Sequence, residues 1–284
     1  MYVCHDRPRS RCRGDGLGGL IHPTAEIDPK AVLHDGVSVG AHAVIGADVE
    51  IGADTEIGSA AQIHGVTRLG RENRIFPHAC LGFDPQDLKY NGEVSCLKIG
   101  DRNIIREFST LNRGTEFGGG TTSVGDDNLL MAYSHIGHDS KVGNRTVFTN
   151  GATLAGHVEV GDDATIGAHS AVQQFCRIGR HGYIGGFSVI TLDALPFSLT
   201  VGYKPSWYRV NRVGLQRKGY ESAQIAELEA AFRILLRSGF NTGQALEELR
   251  RLEDHSRDVD YLIEFVSSSE KGIIKSARRG HRGG

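Results

Sequence analysis

The chain is poor in most residues that announce a specialised class. Proline occurs 7 times in 284 residues, methionine twice and tryptophan once. So little proline excludes collagen-like and Pro-rich disordered chains. Lys+Arg of 32 against Asp+Glu of 34 leaves a formal charge of −2, so the whole chain is no nucleic-acid polycation. No apolar run approaches the ~18 residues of a membrane span, and no spanning segment is expected. Cysteines stand at positions 4, 12, 80, 96 and 176 with no Cys-x-x-Cys pair and no zinc spacing. Reduced thiols and a cytoplasmic location are expected. Arg7, Arg9, Arg11 and Arg13 precede no apolar core, so no secretory signal is visible. Gly14, Gly16 and Gly19 match Gly-x-Gly-x-x-Gly by letter, but no strand precedes and no helix follows, so dinucleotide binding is rejected.

Glycine is the residue in excess, at 38 of 284 against a usual share of about 7%. It follows a repeat. Aliphatic residues recur every six positions from Ile21 through Ile27, Leu33 and Val39 to Leu81. They resume at Ile99, Ile105, Leu111 and Phe117, and after one extra residue in 118–123 run from Val124 to Ile190. A period of six fits neither a helix nor simple strand alternation. It is the repeat of a hexapeptide parallel β-helix, one short strand and one corner per repeat. Three repeats make an 18-residue coil, and nine coils at ~4.8 Å give a prism about 43 Å tall.

The expected organisation is an extension over 1–20, the β-helix over 21–195, a linker and small helical domain over 196–272, and a basic, disordered tail over 273–284. Segment 82–98 interrupts the repeat, is polar, and is expected to project; loops on rigid scaffolds tend to carry function. Pro196 and Pro205 mark the linker. Helical spacing follows at Ile225, Leu228, Phe232 and Leu235, with Ser222 as N-cap and Gly239 as stop.

Histidines give the sharpest chemical signal. His138 follows the inward Ile136 by two positions and is expected to face outward. His157 lies one coil plus one residue beyond it, Gln174 lies two coils beyond, and Gly156 falls between at the same phase. These residues should gather at one corner beside a glycine that exposes its N–H. A zinc site, as in β-helical carbonic anhydrases, is the competing reading. It lacks a His-x4-His pair, and His42 with His78, or His135 with His138, completes no triad. Lys204, Arg209, Arg212, Arg217 and Lys218 form a basic cluster suited to a phosphate-bearing ligand or an acidic partner.

The segment QDLKYNGE at 86–93, followed by IGDRNIIRE, NLLM, HIGHD, VGNR, ATLAGHV and QFCRIG, is a specific combination. It closely resembles the acyl-[acyl carrier protein]–UDP-N-acetylglucosamine O-acyltransferases, which begin lipid A synthesis, over residues 21–272. The resemblance implies a left-handed winding, against the usual right-handed crossover rule. It implies a homotrimer with active sites between prisms, and a transfer of a 3-hydroxyacyl chain from acyl carrier protein to the sugar 3-hydroxyl. His138 falls on the family's general base, a role an imidazole of ordinary pKa ~6.5 suits. Asp139 would orient it, and the Gly156 N–H would stabilise the oxyanion. His135, His157 and Gln174 match substrate-contacting positions. Gln86 and Asp87 would hold the glucosamine, Asn211 and Arg217 the nucleotide, and Gly186 would measure the acyl chain. No metal or other cofactor is implied, because the thioester donor is already activated. The acidic carrier protein would meet the basic helical region.

One position departs: many relatives have His where this chain has Gln173, which hydrogen-bonds but carries no charge. A 3-amino sugar acceptor, giving an amide, is therefore the alternative substrate. A sibling N-acyltransferase carries a uridine-binding domain ahead of its β-helix, for which this chain has no room. Coenzyme A-dependent relatives lack QDLKY. A non-catalytic scaffold needs no stacked His138, Gly156 and His157.

Overall fold

A computed structural model describes residues 19–252 and 255–276. Three parallel sheets form a triangular prism. The first face runs from strand Glu26–Ile27 to Val189–Ile190, the second from Val32–Leu33 to Arg177–Ile178, and the third from Ser38–Val39 to Ser198–Val201. Most strands hold two residues, the second pointing inward. Register puts like on like: Ile27 opposite Ile45, Ile136 opposite Leu154, Leu154 opposite Val172. The aliphatic repeat thus becomes one continuous buried column.

The glycines that follow the inward aliphatic residues do not make the bends themselves. Left-handed φ falls one or two residues later, mostly on non-glycine residues such as His42 (57°), Asp54 (56°) and His157 (60°). Gly40 and Gly52 answer to close coil stacking instead. A Cβ there would sit 2.6 Å from the Ser59 nitrogen and 2.5 Å from the Gly70 carbonyl carbon.

A second column of buried polar groups follows one edge of the prism. Asn73 accepts from the Asn103 backbone and side-chain amides at 2.9 and 3.0 Å. Asn103 accepts in the same way from Asn128, and Asn128 from Thr146. Each side chain closes the polar groups of the coil beside it.

Elsewhere on the first face each inward residue pairs with the one three repeats on, as Ile45 does with Ile63. That step lengthens twice. Leu81 pairs with Leu111, passing over Ile99, and Leu111 pairs with Ile136, passing over the phase that Phe117 seemed to keep. Extra chain therefore leaves the prism at both points, each time at the corner between the first and second faces. The first insertion is the expected loop within 82–98. The second, over 113–120, corrects the repeat: Phe117 is 81% exposed there and points nowhere near the core.

The C-terminal part also departs from expectation. Segment 193–208 holds two strands where a linker was expected. Ser198–Val201 adds a last parallel rung to the third face, so the prism extends past 195, and Ser206–Val210 pairs antiparallel to it. The prolines sit between or before these strands, where no ladder donor is needed. Helices α1 (Arg212–Arg217), α2 (Ser222–Arg237), α3 (Thr242–Arg250) and α4 (Arg257–Ser267) follow. Ser222 opens α2, but the cap is Glu221, in a capping box with Gln224. Gly239 has a left-handed φ of 84° just past its end. The disorder expected from 273 does not hold at its start, because Ile273 and Ile274 are buried and Ile273 bridges Asp193. Residues 277–284 of the expected tail, and 1–18 of the 1–20 extension, lie outside the described residues.

Helix α4 is pinned to the second face. Arg177 donates to the Phe265 carbonyl at 2.7 Å and lies over its ring, while Arg180 pairs with Asp258 and covers Tyr261.

Candidate active site

The corner between the first and second faces gathers the polar residues. Three successive coils bring Gly137-His138-Asp139, Ala155-Gly156-His157 and Gln173-Gln174-Phe175 into register. Asp139, His157 and Phe175 all take left-handed φ near 60° at the bend. His138 lies directly over Gly156. A Cβ on Gly156 would come within 2.4 Å of imidazole Cε1 and 2.5 Å of Nε2. The missing side chain is the seat of the ring. The Gly156 N–H donates to no acceptor among the described residues.

His138 does not face solvent as expected; its side chain is only 5% exposed. Asp139 bonds its Nδ1 at 2.8 Å, and His157 packs edge-on against its ring at 5.1 Å. The carboxylate accepts, so Nδ1 is the protonated nitrogen and Nε2 holds the lone pair. Asp139 is itself buried and accepts two bonds from Thr115.

His157 stacks on Phe175 at 4.5 Å, and the edge of Phe117 meets it at 6.2 Å. Burial pushes its imidazole down from the usual value, against the opposing charge of Asp139. Asp87 in the projecting loop also raises it, which places that loop's charge within reach of the corner. Lys89 of the loop lies over the Phe117 ring. His135 is one strand back, bonded to Thr110 at 2.7 Å; burial, then the neighbouring His138, lowers it as well. Gln86 and Gln174 are exposed, the latter in register two coils from His138.

Other expected site residues lie elsewhere on the chain. Asn211 caps α1, accepting from the Gly214 N–H, and donates to the His181 carbonyl. With Arg217 and Lys218 it lines a cavity of about 380 Å³ against Thr165, Tyr183 and Leu199 of the third face. Gly186 is exposed at the corner joining the third and first faces, beside Phe187. A triangle sets each corner opposite the remaining face, so His138 and Arg217 occupy opposite sides of one prism. Of the basic cluster, Arg212 is paired with Glu229 and Lys218 with Asp163.

Ligand atoms of His138, Asp139 and His157 lie within 4.8 Å of one another, a donor set a divalent ion could use. Hydrogen bonds already occupy it: the Asp139 carboxylate takes three donors from Thr115 and His138.

Comparison with known proteins separates the remaining readings. The chain is 49% identical, over 90% of its own length and 99% of the relative's, to the acyl-[acyl-carrier-protein]–UDP-N-acetylglucosamine O-acyltransferase of Alkalilimnicola ehrlichii. It belongs to that O-acyltransferase family. The enzyme of the same name from Stenotrophomonas maltophilia K279a is 45% identical over 90% of this chain and 97% of its own. The family model for UDP-N-acetylglucosamine O-acyltransferase domain 2 matches residues 193–274, and the bacterial transferase hexapeptide model matches 121–156. The solved UDP-N-acetylglucosamine acyltransferase of Francisella novicida superposes with a TM-score of 0.89 at 33% identity, covering 91% of this chain and 95% of that one. Its counterpart from Campylobacter jejuni gives 0.86 at 36%, covering 91% and 100%. The prism is thus the left-handed β-helix of the family. Among the described residues no helix is long and apolar enough to cross a membrane.

Three residues of the corner escaped the sequence reading. Phe175 stands exactly one coil past His157, so the period itself could have found it. Thr115 and Phe117 sit on an insertion, where the period carries no information.

Proposed function

We propose that the chain transfers a long 3-hydroxyacyl group from acyl carrier protein to the 3-hydroxyl of UDP-N-acetylglucosamine, the first step of lipid A synthesis, as a cytoplasmic homotrimer. The carrying observation is the His138–Asp139 pair seated over Gly156. His138 Nε2 takes the hydroxyl proton while that oxygen attacks the thioester carbonyl. The carbonyl oxygen becomes an oxyanion, met by the Gly156 N–H. Collapse breaks the carbon–sulfur bond, and the imidazolium returns its proton to the leaving thiolate. Asp139 accepts from Nδ1 throughout and stabilises the transient cation. No step calls for a metal or cofactor.

The placement of the parts supports an assembly of copies. One UDP-sugar cannot reach from the His138 corner through the prism to the third face. A neighbouring copy can present its Asn211 and Arg217 to that corner, with Gln86, Asp87, His135, His157 and Gln174 holding the sugar. The acyl chain then runs toward the open Gly186 corner. The cations of the helical domain not taken up by Glu229 and Asp163 would meet the acidic carrier protein.

Mass spectrometry of the product tests the reading. Incubated with 3-hydroxyacyl-carrier protein and UDP-N-acetylglucosamine, the protein should yield an alkali-labile ester on the nucleotide sugar. An amide formed only on the 3-amino analogue would move the acceptor assignment. No acylated sugar from either would overturn the function.

A further inference from the structure

The second insertion, residues 113–120, is built around the Asp139 carboxylate. Thr115 is buried and meets both carboxylate oxygens: its N–H donates to Oδ1 at 2.8 Å and its hydroxyl to Oδ2 at 2.7 Å. Oδ2 is also the oxygen that accepts from His138 Nδ1. The loop is shaped to sit this close. A Cβ on Gly118 would lie 2.0 Å from the Asp139 Cγ, and one on Gly114 2.8 Å from Oδ1. Thr115 in turn holds its own loop, accepting from the Gly118 and Gly120 N–H groups. From the other side, Thr122 accepts the Asp139 N–H at 2.7 Å.

We infer that Thr115 is a positioning residue for the general base: it fixes the Asp139 carboxylate and so holds His138 in the Nδ1–H tautomer, aimed over Gly156. The inference rests on the assignment of His138 as base. A carboxylate free to rotate would aim the imidazole less well, and one stripped of a donor accepts more strongly from an imidazolium. Thr115 reaches the reacting atoms only through Asp139 and His138. Among the described residues, the charged and titratable groups at this corner are Asp139, His157 and His135 beside His138, Asp87 acting on His157, and Lys89 and Lys271 over the Phe117 and Phe175 rings.

Thr115→Val keeps the shape and removes the hydroxyl; Thr115→Ser keeps the hydroxyl. Valine should lower kcat by about 10–100-fold, the order found when a hydrogen-bond partner that orients a metal-ligating histidine or carboxylate is removed. KM for UDP-N-acetylglucosamine should change little, and the acid limb of the pH–rate profile should move to higher pH. Serine should restore the profile and most of the turnover. Thr115→Ala supplies the same readout where valine fails to fold. His138→Ala is measured beside them. If it retains turnover, the base assignment has failed. If it is inactive while valine and alanine keep the wild-type kcat and profile, or raise KM alone, the positioning role is overturned and the base stands. A serine variant as impaired as valine also overturns it.

Discussion

At the residue scale, the corner depends on what Gly156 lacks. Its hydrogen is the only substituent that fits beneath the imidazole. In Gly156→Ala the ring is the mobile partner, so the fold should survive while Nε2 is displaced. A misplacement of about 1 Å costs roughly 10²-fold in rate. Turnover should fall by that order with an unchanged melting temperature, and an alanine variant of wild-type activity would refute the seating. The crowded Asp139 carboxylate bears on metal chemistry too. A cation at His138, Asp139 and His157 would have to displace three hydrogen bonds. Activity should therefore withstand prolonged dialysis against EDTA; loss restored by zinc would turn the corner into a metal centre.

At the element scale, the asparagine column is a stability device. Asn103→Leu fits the apolar interior by volume but leaves the Asn128 backbone and side-chain N–H groups without their acceptor. Each orphaned buried donor costs about 1–3 kcal/mol. Denaturant titration should show a loss of that order or twice it, and a neutral substitution would mean that the column relaxes freely. The proposed acyl end is tested at its own corner. Gly186 is open to solvent, and a Cβ placed there would meet nothing nearer than the Ala168 carbonyl oxygen at 3.3 Å. Gly186→Met should shift donor preference toward chains several carbons shorter, since each buried methylene contributes about 0.8 kcal/mol. Competition between long and short carrier thioesters measures it; an unchanged preference would place the ruler elsewhere.

The same scale shows what could be read in the sequence. Six-residue phase located the prism, its coils and the His138–Gly156–Gln174 alignment, because each inward residue is fixed by its neighbours above and below. The phase failed where chain leaves the prism. Phe117 keeps step with Leu111 by accident, so the second insertion passed for a repeat, and with it the Thr115–Asp139 contact. The hairpin of 198–210 was hidden by Pro196 before it and Pro205 between its strands, which signal a break equally well in a linker. The burial of His138 was not legible either, since it is enclosed by Gly156 and His157 one coil away and by Asp139, which the insertion holds.

At the scale of the whole molecule, the prism puts the His138 corner, the Asn211–Arg217 cavity and the Gly186 corner on separate sides. Within a single copy these three places share no cleft. In the proposed trimer the base of one copy works with Asn211 and Arg217 of the next. Co-expressing differently tagged His138→Ala and Arg217→Ala chains, and purifying the mixed assemblies, tests it directly. Each variant alone should be nearly inactive. In a cyclic trimer of the two chains, one interface in three pairs an intact His138 with an intact Arg217, so mixing should restore about one third of wild-type acyl transfer. Mixed assemblies no more active than their parents, or a His138→Ala protein that still turns over, would contradict it.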